Sequence, residues 1–174
     1  LLRSRYGEGN WREGRSQHNV ATCLLALNRW DAAATTLDFA DAIKADRPDL
    51  NSLGLGNVLH ARATRALGIE AFEDAEQVCR QAVEIRSAGY DDEHPDQADS
   101  YDLLGRILTV RGDFVDARSA IDRALAIREA VLGPENWETA SSRVSLAEWH
   151  AAQGQFDDAA AVLDRAEVAL DLLE

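Results

Sequence analysis

A 42-residue period organises this sequence. Trp30, Phe72, Phe114 and Phe156 stand 42 residues apart, and three residues after each comes alanine, at Ala33, Ala75, Ala117 and Ala159. Four further on stands Leu37, Cys79, Ile121 or Leu163, followed by Ala40, Ala82, Ala124 or Ala166. Four columns held across four copies exceed what an alanine-rich chain produces by chance. "GEGNW" at 7–11 recurs three periods later as "GPENW" at 133–137. The period therefore predicts a single array over 1–174. Its units are 10–51, 52–93, 94–135 and 136–174, with 1–9 as the tail of a preceding unit.

Each unit reads as two helices. In the third, Leu103, Leu104, Ile107 and Leu108 mark a helix running to Gly112. Phe114, Ala117, Ile121, Ala124 and Leu125 then trace a second, with the i, i+3, i+4, i+7 spacing of one buried stripe. Acidic residues open the second helices (Asp31, Glu73, Asp74, Asp116, Asp157, Asp158), and Lys44, Arg86, Arg128 and Arg165 follow further along, a placement that suits the helix dipole. Turns are expected near 28–29, 68–70, Gly112 and Gly154. The alanine columns let helices approach closely while Phe and Leu fill the space between. One pair has too small a core to stand alone, so pairs stack.

Composition narrows the function classes. A net charge of −13 excludes the cationic footprint of a nucleic-acid binder. The charge is uneven: residues 1–30 carry five arginines against two acidic residues, and 31–174 carry 13 basic against 29 acidic. No run of about 18 apolar residues exists to span a membrane. Cys23 and Cys79 lack metal or redox spacing and read as buried small hydrophobes in a reducing, cytoplasmic setting. One lysine against 17 arginines, with 30 alanines, suggests a bacterial GC-rich genome, and the absence of methionine reads as a segment of a longer chain.

Helix pairs with Leu104-Gly105 in the first helix and Ala117 and Ala124 in the second resemble tetratricopeptide repeats. The stretch "HPDQADSYDLLGRILTVRGDFVDARSAIDRALAIREAVLGPENWETA" resembles the kinesin-light-chain type, whose helices are longer and whose period is 42. The first two units match mainly in their second helices, since Arg62 stands where Leu104 and Leu146 stand. The resemblance implies an all-α, right-handed superhelical solenoid of antiparallel helix pairs. It also implies a non-catalytic scaffold binding a peptide or protein segment along the concave groove lined by the first helices.

By register with the third unit, Asp99, Asp102, Leu103, Arg106 and Thr109 are expected to point outward into that groove. Their equivalents are Arg15, His18, Asn19 and Thr22, then Asn57, His60 and Thr64, then Ser141, Ser145 and Glu148. The amino-terminal members are neutral or cationic, and the carboxy-terminal ones are acidic apart from Arg106. A bound segment is therefore expected to be bipolar, its acidic part toward Arg15 and its basic part toward Glu148. A second reading makes the array the ligand-sensing region of a larger signalling ATPase or transcriptional regulator, its partner a neighbouring domain of the same protein. End-to-end self-association through Leu1, Leu2, Val168, Leu172 and Leu173 is also expected.

Sharper chemistry finds little support. His18, His60 and Asp102 share a column, but nothing enforces the convergence to about 2 Å that a metal ion demands. They read as polar groove lining, with no metal and no cofactor. "LGLGN" at 53–57 lacks the preceding strand of a dinucleotide site, and no serine stands in a nucleophile elbow. The pairs Asp91-Asp92 and Asp157-Asp158 read as loop and dipole charge. His94 reads as a helix-start residue and His150 as a packed ring. The tryptophans read as core or inter-repeat wedges, with Trp11 available to a partner.

Overall fold

The computed structural model describes residues 11–27, 29–33, 35–36, 52–90 and 93–171, with side chains outside the description at 11–18, 52–54 and 168–171. The described residues are helices joined by short turns, with no strand among them. They are α1 (Trp11–Ala26), α2 (Ser52–Gly68), α3 (Phe72–Gly89), α4 (Pro95–Arg111), α5 (Phe114–Val131), α6 (Trp137–Ala152) and α7 (Phe156–Asp171). Residues 30–33 and 35–36 are helical as well. The chain divides into two compact units, Leu1–Gly89 and Tyr90–Glu174.

The period is visible in the backbone. Trp30, Phe72, Phe114 and Phe156 each begin a helix. The preceding turns close with the same bond at 42-residue intervals. Arg29 N–H donates to Leu24 O, Ala71 to Ala66, Asp113 to Leu108 and Gln155 to His150, at 2.8–3.0 Å. This is the six-to-one bond of a left-handed helix C-cap. The left-handed residue is Gly112 (φ 84°) in one turn and Gly154 (φ 75°) in another, but Glu70 (φ 62°) in the first unit.

In the first unit, α2 folds back on α3 and also touches α1. Ala21, Leu25, Ala33, Val58 and Ala61 form its core, with Leu24 and Trp30 packed against them. Gly68 lies under the Trp30 ring, where an added Cβ would meet it at 2.5 Å. Only glycine leaves room for an indole there. Arg65 Nε donates to the Trp30 carbonyl at 2.9 Å and fixes the crossing. In the second unit, α4 pairs with α5 and α6 with α7, and α6 also packs on α4 and α5. Pro95 opens α4 behind the N-cap His94, whose ring accepts from Asp96 N–H while Gln97 reaches back to His94 N–H. Asn136 caps α6 by accepting from Glu138 N–H at 2.8 Å. Each cap satisfies a donor that the helix start leaves open.

The alanine columns do what their size allows. Ala33, Ala75, Ala82, Ala117 and Ala124 are fully buried, and Ala159 and Ala166 nearly so. Gly105 approaches α5 so closely that a Cβ would sit 2.5 Å from Ile121 Cγ1. The large-residue columns are less uniform. Phe72 and Phe114 are half-buried, but Phe156 is 70% exposed and Leu163 is also exposed.

Two further expectations need correction. Cys79 is buried, which pushes its thiol up to about 12, whereas Cys23 is exposed. Trp149 wedges between repeats, its Nε1 donating to Phe114 O at 2.8 Å, whereas Trp137 is 57% exposed. The expectations on Lys44, Asp91, Asp92, Leu1, Leu2, Leu172 and Leu173, and on the side chains of Trp11 and Val168, lie outside the described residues.

Candidate functional site

In the second unit, the first helices α4 and α6 lie against each other, and their side chains sort into two layers. Arg106, Ser141 and Glu148 are exposed and Asp99 is half-buried. Arg106 Nε approaches Glu148 Oε2 at 3.6 Å, with both side chains about half exposed. Beneath them, Asp102, Leu103, Thr109 and Ser145 are buried. The outward assignment of these four is thus corrected: α4 and α6 pack on each other, and Asp102 and Ser145 meet across that contact. Ser145 Oγ donates to Asp102 Oδ2 at 3.1 Å, while Thr109 returns its hydroxyl to Gly105 O at 2.8 Å.

The organiser of this layer is a residue that sequence reading assigned to the helix dipole. Arg128, near the end of α5, turns inward and is 5% exposed. Its Nη2 donates to Asp99 Oδ1 at 2.6 Å. Its Nη1 donates to Glu138 O at 2.9 Å and to Ser142 Oγ, and lies 3.7 Å from Asp102 Oδ1. One planar guanidinium thus ties α5 to the first helix of its own repeat and to the first helix of the next. Arginine suits this because its donors form a rigid fork. Burial pushes the Asp102 carboxyl above the ordinary carboxylate range, against the opposing pull of Arg128, the Ser142 and Ser145 hydroxyls and Arg106.

One period earlier, the same device recurs in the first unit. Arg86 is buried and its Nη2 donates to Asn57 Oδ1 at 2.7 Å. Gly56 makes room, since a Cβ there would meet Arg86 Cγ at 2.8 Å. The glycine of "LGLGN" therefore serves an arginine. The signal was present in the sequence: Asn57 and Asp99, like Arg86 and Arg128, are 42 residues apart.

The remaining groove candidates of the first unit divide. Asn19 and Thr22 are exposed on α1, while His60 and Thr64 are half-buried on α2, Thr64 donating to His60 O at 3.0 Å. Arg15 and His18 lie on α1, with side chains outside the description. Among the described residues, no group of three or more His, Cys, Asp or Glu could hold a metal ion. Among them, too, no helix is long and apolar enough to cross a membrane.

Residues 103–167, which include the Gly105 crossing and the Arg128 tie, match the family model described as tetratricopeptide repeat. Solved structures place the chain's fold in the same class. It is similar to the nearly identical TPR-like repeats of a protein described as a kinesin light chain from Podosopora anserina. The identity is 22% and the TM-score 0.70, covering 99% of this chain and 82% of that one. A Q17M form of those repeats gives 22% and 0.73, covering 97% and 80%. BtubC (BKLC) from P. vanneervenii gives 22% identity and a TM-score of 0.77, covering 92% of this chain and 64% of that one. At such identity the likeness is one of fold. No curated protein matches the sequence. Tetratricopeptide repeats generally mediate protein–protein interaction.

Proposed function

We propose that this chain is a non-catalytic scaffold that binds an extended peptide or protein segment along the polar wall formed by the first helices of its repeats. The observation that carries the reading is the two-layer wall of the second unit. Arg106, Ser141 and Glu148 are exposed, while beneath them Ser145 donates to Asp102 and Arg128 donates to Ser142. Such a base holds the exposed donors and acceptors in place before a partner arrives, which lowers the ordering cost of binding. The proposed wall comprises Asp99, Arg106, Ser141 and Glu148 over Asp102 and Ser145. In the first unit it comprises Arg15, His18, Asn19, Thr22, Asn57, His60 and Thr64. The repeat bounds 10–51, 52–93, 94–135 and 136–174 belong to the same reading, supported by second helices that start 42 residues apart. A cytoplasmic setting belongs to the same reading.

The test is a peptide array probed with the whole chain, followed by affinity and melting measurements on Asn19→Ala, His60→Ala and Arg106→Ala. A binding hot spot loses at least about 1 kcal/mol of affinity with little change in melting. If all three bind like the parent while Val115→Ala, on a second helix, abolishes binding, the reading is wrong.

A further inference from the structure

Trp137, Ser141, Val144 and Glu148 follow one another along α6 at steps of four, three and four residues, so they form one stripe. All four are exposed, Trp137 to 57% and Val144 to 39%. The other tryptophans with described side chains are engaged: Trp30 lies on Gly68, and Trp149 donates to Phe114 O. The N-terminus of α6 is capped by the Asn136 side chain, so Trp137 is not needed to close the helix. An indole and a valine on one solvent-facing stripe form apolar surface without an evident structural task.

Charge says what would cover it. Residues 90–174 hold 19 Asp and Glu against 7 arginines, a net −12 of the chain's −13. Six of those arginines already lie within ion-pair distance of carboxylates: Arg106, Arg111, Arg118, Arg123, Arg128 and Arg143. The field around the stripe is therefore negative, and Glu135 and Glu138 flank Trp137 in sequence. An indole face attracts cations, tryptophan most strongly among the aromatic rings. At 3.6 Å and half exposed, the Arg106–Glu148 contact is a weak surface pair that an incoming cation can exchange.

We propose that this stripe docks a lysine- and arginine-rich peptide segment carrying an aliphatic residue. One cation lies over Trp137, the aliphatic side chain covers Val144, and a second cation takes Glu148. The assignment rests on the groove reading, since Ser141 and Glu148 are groove positions, and it narrows that reading to a basic occupant with an apolar anchor.

The test uses the whole chain and isothermal titration calorimetry with three synthetic peptides. These are a Lys/Arg-rich peptide with central leucines, the same peptide with serine for leucine, and an acidic counterpart. The leucine-bearing basic peptide is expected to bind best and the acidic one not at all. Trp137→Ala should weaken binding about ten-fold or more, and Trp137→Phe less, since phenylalanine keeps a weaker face. Glu148→Gln should weaken binding and flatten its dependence on salt. The inference is overturned if the basic peptide does not bind, if the acidic one binds as well, or if Trp137→Ala leaves affinity unchanged. The groove reading is separately at stake. If peptide binding falls with Asn19→Ala and His60→Ala but not with Trp137→Ala, the groove stands and this docking face falls. Circular dichroism of each variant verifies that its helices are intact.

Discussion

Arg128 meets Asp99 at 2.6 Å across 29 residues of chain, and one period earlier Arg86 meets Asn57 at 2.7 Å across the same separation. The partner changes from carboxylate to amide while the geometry persists. What recurs is a donor fork from the second helix reaching a side-chain oxygen on the first. The ionic character of the second-unit pair is thus an addition to a hydrogen-bonding device. Arg128 extends the device to Ser142 and Glu138 O on the following helix.

Removing that fork should be costly. Arg128→Ala leaves the buried Asp102 without its nearest cation and opens space between three helices, and loss of a buried ionic partner costs roughly 3 kcal/mol. Arg118→Ala removes an exposed i,i+4 pair with Asp122, worth about 0.3–0.5 kcal/mol, and a cation–π contact over Trp149, worth about 0.5–1 kcal/mol. Urea denaturation of the two variants should rank them in that order. Equal losses would refute the central role given to Arg128.

Asp102 makes stability depend on pH in a stated direction. Its folded carboxyl is raised, first by burial, so the folded state holds this proton more tightly than the unfolded chain does. The resulting stabilisation is fully present below the unfolded value of about 3.9 and is lost as pH rises through the raised folded value. Asp102→Asn cannot titrate. Relative to that variant, the parent should therefore gain stability as pH falls through this window. Urea midpoints of both proteins across the acid range check the sign, and a parent that loses ground on acidification would contradict it.

The turns offer a backbone test. Glu70 adopts φ 62° where the later turns have glycine, and a side chain in the left-handed region costs about 1–2 kcal/mol. Glu70→Gly should recover part of that and raise the melting temperature. A Cβ on Gly112 would meet nothing within 4 Å. Gly112→Ala should therefore lose about 1 kcal/mol for conformational reasons alone.

Gly68 and Trp30 offer a packing test. Gly68→Ala drives a methyl group into the indole and should cost about 1–3 kcal/mol, as overpacking does. Trp30→Phe shortens the ring to the residue type found at the other three equivalent positions. Combined with Gly68→Ala, it should restore much of the loss. Additive losses in the double-mutant cycle would show that the two residues do not constrain each other.

The 42-residue columns alone determined that the described residues are helical and where the second helices begin. They also determined that Ala75, Ala117 and Ala124 are buried, because stripe periodicity and residue size are local properties that survive without coordinates. Which polar residues face a partner was decided by tertiary structure. Asp102 and Ser145 share a groove register with Arg106 and Glu148, yet the packing of α6 on α4 covers the first two and leaves the others in water. Arg86 and Arg128 have the spacing of helix-dipole residues in sequence, and only the fold shows their guanidinium groups turned inward to tie helices together. Trp137 repeats "GEGNW" as a motif but stays exposed. Burial of a long side chain depends on which neighbouring helix reaches it, and no window of one chain segment contains that neighbour.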